Sequence, residues 1–199
     1  MSDLLSGERQ VSPGISGIRR DHVARYEWLA EQLAGKQFSI VDLGCGVGYG
    51  SNLLSQHGHA VIGMDQSASS IDYACRHYAN TGAAFLHVDI TKLGDFEVFD
   101  VAVMFEIVEH LPDPRSVLQS LRKSGVKRLF LSVPNEVGFP YTGQKFHYRH
   151  YTWHQLRELL RDTGWAVDGW YGQEGPHSEV TSFLALGRTL VVSCSSDTK

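Results

Sequence analysis

The chain has 199 residues, 42% hydrophobic and 20% charged, an ordinary globular composition that is long enough for one domain with a sizeable core. Its formal net charge of -4 does not favour a large nucleic-acid interface, which needs a basic face. The 3 cysteines have no CxxC spacing, which argues against a disulfide framework or a zinc knuckle.

Apolar residues are spread along the chain, and no run approaches the roughly 20 residues that cross a bilayer. The opening stretch MSDLLSGERQ carries an acid early and lacks the apolar segment of a secretory signal. We therefore expect a cytoplasmic protein without a membrane span. Nothing in the sequence indicates an oligomeric state.

Predicted strands and helices alternate along the chain. Residues 1–18 predict an N-terminal arm, and helical spacing of apolar residues predicts a first helix near residues 18–35. Short apolar runs predict strands at residues 38–44, 60–65, 84–89, 99–105, 128–133, 165–171 and 182–187. Amphipathic stretches with capping residues predict the intervening helices at residues 51–58, 67–82, 113–125 and 152–164.

This alternation predicts a mostly parallel sheet with helices on both faces. The last two strands have no helical pattern between them, and a parallel crossover needs about a dozen residues. The last strand is therefore expected to run antiparallel to its predecessor. Residues 19–190 are predicted to form one domain, and residues 191–199 a C-terminal tail.

One connection, residues 134–151, is long and irregular. Its sequence PNEVGFPYTGQKFHYRHY contains five aromatic residues and two histidines. Irregular loops longer than about 12 to 15 residues are usually functional or disordered, and disordered segments are poor in aromatics. We predict a partly packed lid, in which His150 is an ordinary surface or packing residue.

The stretch VDLGCGVGYG places Gly44 and Gly46 directly after the first predicted strand. Glycine lets a chain turn sharply and lets a ligand approach the backbone, and the following helix offers its N-terminus. Asp42, Asp65 and Asp89 lie near the ends of three predicted strands. Because these ends rim the ligand crevice of a parallel sheet, and an acid there can accept hydrogen bonds from ribose, we predict a nucleotide-type ligand.

Two other glycine-rich motifs do not fit. The nicotinamide or flavin fingerprint GxGxxG needs glycine at position 49, where this chain has Tyr49, and a bulky side chain there obstructs close helix–strand packing. No GK[ST] follows the glycines, so the Walker pattern is absent.

Five motifs then occur in order: VDLGCGVGYGSNLL, VIGMDQS, FLHVDI, FDVAVMFEIVEHLPDP and LFLSVPN. In this order and spacing the chain closely resembles class I S-adenosylmethionine-dependent methyltransferases from about residue 20 to 188. The resemblance implies an α/β fold, with a Rossmann-like, doubly wound seven-stranded sheet that is mostly parallel with the last strand antiparallel. It also implies S-adenosylmethionine as the cofactor.

The same resemblance implies which residues contact that cofactor. The amino-acid part would be held by Asp42, Gly44 and Gly46, the ribose by Asp65, the adenine by Gln66, Asp89 and Ile90, with Phe105 behind the sulfonium. A looser similarity of GERQVSPG, DHVARY, KFHYRHYT and WYGQ is to a bacterial subgroup linked to surface-glycan or secondary metabolism. That subgroup often has an acid at the position of His150.

Methyl transfer to a hydroxyl needs alignment and a base, and histidine suits the base role near neutral pH. His110 follows the fourth predicted strand and His147 lies in the predicted lid. Together with Glu106 they are the predicted catalytic residues. We expect O-methylation of a small-molecule or glycan-type acceptor, without nucleic acid as a partner.

Two alternatives remain open. The spacing of Glu106, Glu109 and His110, together with His147, resembles the metal-binding ExxEH of small-RNA 2′-O-methyltransferases, and such groups could hold Mg²⁺ or Mn²⁺. The acidic net charge argues against RNA, and Glu109 could simply orient His110, so we expect a metal-free reaction. The other alternative is a catalytically silent cofactor-binding module, against which the His and Glu cluster argues.

Overall fold

The computed structural model describes residues 4, 9–79, 82–92, 98–182 and 185–196. Within them, five α-helices, α1 to α5 in chain order, span Arg20–Gln32, Tyr49–Gln56, Ala68–His77, Pro114–Lys123 and Trp153–Asp162. Eight β-strands, β1 to β8, span Ser39–Leu43, Ala60–Asp65, Ala83–His87, Val101–Phe105, Arg128–Pro134, Trp165–Gln173, Thr181–Ser182 and Thr189–Ser196. Outside the described residues lie residues 1–3 and 5–8 of the predicted N-terminal arm and residues 197–199 of the predicted tail.

All eight strands form one sheet in the order β3-β2-β1-β4-β5-β8-β6-β7. Neighbours from β3 to β5 pair in parallel, whereas β8 is antiparallel to both β5 and β6. The predicted fold class, an α/β doubly wound sheet that is mostly parallel, is confirmed. The predicted number of seven strands is corrected to eight among the described residues, because the two-residue β7 pairs with β6 at the sheet edge.

The last strand of the chain is not where the sequence analysis placed it. Only Thr181–Ser182 forms a strand near the predicted 182–187, of which residues 183–184 lie outside the described residues. The strand inserted between β5 and β6 is β8, so the assignment of residues 191–196 to a tail is wrong. Because a central strand is covered on both faces, it reads as a continuous apolar run rather than as alternation.

The two faces of the sheet carry separate hydrophobic cores. Leu29 of α1, Leu54 of α2 and Ile71 of α3 pack on one face, while Leu118 of α4 and Leu160 of α5 pack on the other. No described helix has the length and apolar character needed to cross a membrane. This layering leaves the carboxyl ends of the parallel strands uncovered, and they face the loops of the site.

The capping residues in the sequence correctly predicted where three of the helices begin. The Ser67 hydroxyl accepts from the Ser70 backbone N–H and begins α3, and the Asp113 side chain accepts from the Arg115 backbone N–H at the start of α4. Thr152 forms the predicted capping box of α5. These caps satisfy backbone donors that the first turn of a helix leaves without partners.

Candidate active site

A cleft of about 1100 Å³ opens at the carboxyl ends of the parallel strands. Its walls come from the glycine turn after β1, from α1 and from the long loop of residues 134–151. All of the predicted site residues except Asp42 line this cleft, and they are Gly44, Gly46, Asp65, Gln66, Asp89, Ile90, Phe105, Glu106, His110 and His147. The structure therefore brings the predicted cofactor-binding and catalytic positions to one place.

The glycine turn has left-handed backbone conformations at Gly44 (φ 74°) and Gly46 (φ 56°), which favour glycine. A Cβ atom at Gly44 would overlap the side chain of Ile107, whereas a Cβ atom at Gly46 would meet nothing within 4 Å. Gly44 thus permits close packing beside the cleft, and Gly46 leaves open space next to its backbone.

Asp65, at the end of β2, holds the glycine turn in place. Its carboxylate accepts from the Gly46 backbone N–H at 3.0 Å and from the Ser67 backbone N–H at 2.8 Å. The guanidinium of Arg9 lies 3.7 Å from the same carboxylate. A carboxylate offers about four lone-pair positions, so Asp65 keeps acceptor capacity for a ligand hydroxyl.

Asp42 lies in β1 beneath the turn and is fully buried. It accepts from the Ser51 hydroxyl at 2.6 Å and from the Tyr26 hydroxyl at 3.1 Å. Burial raises the pKa of Asp42 to about 6, although the hydrogen bonds from Ser51 and Tyr26 act in the opposite direction. Asp42 therefore acts on the cleft through the residues it holds and through its charge.

Arg25 of α1 also lines the cleft, where the sequence alone left a cofactor contact and a solvated arginine equally plausible. Its side chain is buried, Nη1 donates to Gln173 Oε1 at 2.8 Å, and Nε has no hydrogen-bond partner among the described residues. The pKa of neighbouring His22 is lowered to about 3, mainly by burial and then by the charge of Arg25. Helical spacing alone could not decide between a buried and a solvated Arg25, because its partner Gln173 lies 148 residues away.

The predicted adenine contacts line the cleft where β2 and β3 end. Ile90 is buried in a short 3-10 helix, and Asp89 lies beyond the end of β3. The Asp89 carboxylate accepts from the Thr91 hydroxyl at 2.6 Å and pairs with Lys92 at 3.0 Å. The Thr91 hydrogen bond, followed by that of Lys92, lowers the pKa of Asp89, so its carboxylate stays ionised.

Glu106 follows β4. Among the described non-glycine residues it is the one with a positive φ, at 55°. Such a conformation is uncommon outside glycine and often marks a site. Its carboxylate accepts from the Ser132 hydroxyl at 2.8 Å. Ser132 was not among the predicted site residues. Its one sequence signal was a hydroxyl within the otherwise apolar strand β5.

Glu109, His110 and His147 form a compact cluster, in which one ligand atom from each lies within 4.8 Å of the others. Glu109 is fully buried in the 3-10 helix Val108–His110, and its backbone carbonyl accepts from the Tyr148 N–H at 2.8 Å. One carboxylate and two imidazoles could hold a divalent metal ion. Glu106, the fourth ligand in the predicted metal alternative, is not part of this cluster.

An open parallel sheet with a glycine turn and acidic strand ends around one cleft defines a doubly wound, nucleotide-cofactor-binding protein. A family model described as "Methyltransferase domain" matches residues 41–125. A probable S-adenosylmethionine-dependent methyltransferase from Mycolicibacterium smegmatis is 31% identical over 180 residues, covering 84% of this chain and 67% of that protein. The chain belongs to the class I S-adenosylmethionine-dependent methyltransferases, and its cofactor is S-adenosylmethionine.

Two further similarities bear on the family. A ubiquinone biosynthesis O-methyltransferase from Coxiella burnetii is 33% identical over 117 residues, covering 55% of this chain and 49% of that protein, so the chain spans about half the length of this relative. The magnesium protoporphyrin IX methyltransferase of Synechocystis, solved with bound SAH, has a TM-score of 0.70 at 20% identity, covering 96% of this chain and 90% of that chain. At that identity the second likeness shows the fold alone.

Proposed function

We propose that this protein transfers a methyl group from S-adenosylmethionine to a hydroxyl of a small-molecule or glycan-type acceptor. The observation that carries the proposal is a pair of imidazoles in the cofactor cleft, His110 and His147, with ring centroids 4.6 Å apart. A hydroxyl acceptor must lose a proton during transfer, and imidazole is a suitable base near neutral pH. The O-methyltransferase name of the Coxiella relative supports the same class of acceptor atom.

The proposed cofactor position follows the chemistry of the cleft. The buried guanidinium of Arg25 suits the cofactor's carboxylate, because it carries an Nε–H without a described partner. The Asp65 carboxylate suits the ribose hydroxyls, and Asp42 stabilises the cofactor's ammonium by its negative charge from beneath the turn. Gly44 and Gly46 let the methionine part approach the backbone.

The adenine and the sulfonium complete this arrangement. Gln66, Asp89 and Ile90 line the cleft beyond the ends of β2 and β3 and suit a purine with an exocyclic amino group. Phe105, at the end of β4, lies behind the proposed position of the sulfonium. When bound, the cofactor supplies an electrophilic methyl group, so the chain's own task is to align the acceptor and to accept its proton.

On the acceptor side, we infer that an imidazole of the cluster takes the proton of the acceptor hydroxyl. Glu106 lies beside the same cleft and holds the Ser132 hydroxyl, which fixes its carboxylate near the transferred group. Phe146 and Tyr148 are 42% and 56% exposed where the long loop borders the cleft. These rings suit an acceptor with an apolar or aromatic part.

A methyl-transfer screen with labelled S-adenosylmethionine tests the proposed acceptor class. The panel contains phenols, sugars, carboxylates and short RNA, each incubated with the wild-type chain. We expect label on a hydroxyl of a phenol or sugar. Label confined to carboxylates would contradict hydroxyl transfer, and label on RNA would favour the nucleic-acid alternative.

The cluster of Glu109, His110 and His147 supports a second candidate, in which a divalent cation activates the acceptor hydroxyl. The proposal predicts that activity survives EDTA. Loss with EDTA, recovery with Mn²⁺ and Mn²⁺ binding that disappears in His147→Ala would instead establish the cation. Binding of Mn²⁺ is measured directly, without acceptor, so it separates a metal site from a wrong choice of acceptor.

A further inference from the structure

Arg188 lies directly before β8 and lines the cleft on the side of the long loop. Its guanidinium carbon is 4.0 Å from the centroid of the Phe139 ring, which is a cation–π contact. Its backbone carbonyl accepts from the Asn135 N–H at 2.8 Å. A Cβ atom at Gly175 would lie 3.8 Å from its Cδ, so the stem passes close to that glycine. These contacts hold an exposed arginine in one place at the edge of the cleft.

The charge of Arg188 is not balanced within the described part of the chain. Other arginines of the cleft have acidic partners: Arg19 donates to Asp21 at 2.7 Å. Arg9 lies 3.7 Å from the carboxylate of Asp65. Among the described residues, no carboxylate forms an ion pair with Arg188, and no group accepts a side-chain hydrogen bond from it. Because guanidinium presents a planar fork of donors that matches a carboxylate or a phosphate, Arg188 can bind such a group of a ligand.

The cofactor's own carboxylate is not the natural ligand of Arg188. In the proposed function that carboxylate belongs to Arg25, which is buried on the α1 side of the cleft and bonds to Gln173. Arg188 instead lies over Phe139 of the long loop, which builds the proposed acceptor side. Bound S-adenosylmethionine also adds a net positive charge, since its sulfonium and ammonium outweigh one carboxylate. The occupied cleft therefore favours an anion on the acceptor side.

We propose that Arg188 binds an anionic group of the acceptor, a carboxylate or a phosphate, and so selects hydroxyl compounds that carry such a group. The inference rests on the proposed function, whose class of acceptor it narrows. Phe146 and Tyr148 of the same loop suit the apolar part of this acceptor, while Arg188 holds its anionic end. The anion is bound and not methylated, so Arg188 determines specificity and takes no part in the transfer of the methyl group.

Binding of the anion is measured without methyl transfer, by isothermal titration of the chain saturated with S-adenosylhomocysteine, whose carboxylate already occupies Arg25. The ligands are benzoate, phenyl phosphate and the neutral benzamide. We expect benzoate or phenyl phosphate to bind at least about 10-fold more tightly than benzamide, because hydrogen bonds to charged groups are the stronger ones. The tighter of the two anions shows whether the site takes a carboxylate or a phosphate.

Variants assign that preference to Arg188. Arg188→Met keeps an unbranched stem and removes the charge, so it should abolish the preference for the anion. The matched control is Arg128→Met, because Arg128 also lies over a ring, that of Phe130, and does not line the cleft. This control should keep the preference. Equal binding of all three ligands, no saturable binding of either anion, or a preference that persists in Arg188→Met would overturn the proposal. The titration needs no acceptor hydroxyl, so it can succeed where the proposed function fails.

Kinetics test the effect on methyl transfer. Protocatechuate, a dihydroxybenzoate, is compared with its neutral amide, and the ratio of their kcat/KM values should fall by about 10-fold in Arg188→Met, mainly through KM. The change of the ratio between variants removes the difference in acidity between the two phenols. An unchanged ratio with label on a hydroxyl would contradict selection by Arg188 and leave the proposed function standing. Label on the carboxylate would contradict both.

Discussion

At the scale of single residues, Asp65 joins the glycine turn to the end of β2. Its carboxylate accepts two backbone N–H groups and, in the proposed complex, the ribose hydroxyls as well. Asp65→Ala should weaken S-adenosylhomocysteine binding by about 1.5–3 kcal/mol, the range for hydrogen bonds to a charged group. Isothermal titration measures the change, and Asp72→Ala, an exposed aspartate of α3, is the control. Unchanged affinity in Asp65→Ala would remove Asp65 from the cofactor site.

Asp42 predicts a pH dependence of stability, because its pKa in the folded chain is about 6. Between the ordinary aspartate pKa of about 3.9 and this raised value, the folded state holds a proton that the unfolded state has lost. The protonated carboxyl therefore stabilises the fold fully below about pH 3.9, and that contribution is lost as the pH rises through about 6.

Relative to Asp42→Asn, which does not titrate, the wild type should lose on the order of 3 kcal/mol of unfolding free energy between pH 4 and pH 7. The measurement is denaturant unfolding of both proteins without cofactor across that range. The difference between them isolates Asp42 from the other titrating groups. A difference that stays constant with pH would show that the Asp42 pKa is not raised.

The sequence predicted which residues lie together only where those residues are close along the chain. Asp65, Gly44 and Gly46 share short local motifs, so their common location could be anticipated. Arg25 and its partner Gln173 lie on α1 and β6, and no local pattern distinguishes a buried arginine from a solvated one. The contacts of His150 with His147 and with the carbonyl of Phe139 likewise depend on the folded loop, which brings these groups within reach.

At the scale of elements, the loop of residues 134–151 is anchored at its first turn. The buried side chain of Asn135 donates to the carbonyls of Ala185 and Gly187 at 3.0 and 2.7 Å, and accepts from the Val137 N–H at 3.2 Å. A parallel bridge between Asn135 and Tyr151 joins the two ends of the loop. These bonds hold the segment that carries His147 against the sheet.

Asn135→Ala should lower the free energy of unfolding by at least about 1–3 kcal/mol, because the substitution leaves buried backbone groups without partners. Denaturant unfolding measures the loss. Lys145→Ala, an exposed change in the same loop, should stay within about 0.5 kcal/mol of wild type. If the two variants are equally stable, the loop is not held through Asn135.

Helices were easier to predict than the last strands, for a physical reason. The caps at Asp113 and Thr152 involve residues two or three positions apart, so the sequence displays them directly. The position of β8 depends on β5 and β6, which flank it in the sheet. In sequence, β5 is far from β8, and β6 is separated from it by a loop and the short β7. Its apolar run lacks alternation because both faces are covered, and the earlier stretch at 182–187 looked equally like a strand.

At the scale of the whole molecule, β8, the last described segment of the chain, lies inside the sheet between β5 and β6. Leu190 on this strand is fully buried, whereas Leu186 just before it is 76% exposed. Leu190→Ala should cost about 2–5 kcal/mol of unfolding free energy by cavity formation. Leu186→Ala should change stability by no more than about 0.5 kcal/mol. Equal effects in thermal or denaturant unfolding would contradict a central position for β8.

The whole cleft divides into two sides with different origins. The proposed cofactor side is built by the glycine turn, α1 and the ends of β1 to β3, and the proposed acceptor side by the segment after β4 and the long loop. Because different elements build the two sides, damage to the acceptor side should leave cofactor binding intact. The proposed methyl transfer requires this separation, because the acceptor side must supply a base that the cofactor side does not.

The most direct test is the single-turnover rate of methyl transfer at saturating S-adenosylmethionine, using the hydroxyl acceptor that the screen identifies. For His147→Ala, the rate should fall by about 100- to 10,000-fold, the usual contribution of a general base, while S-adenosylhomocysteine binds as tightly as to the wild type. A wild-type rate in His147→Ala would contradict the proposed role of His147 as a base. A loss of cofactor binding equal to the loss of rate would contradict the division of the cleft into a cofactor side and an acceptor side.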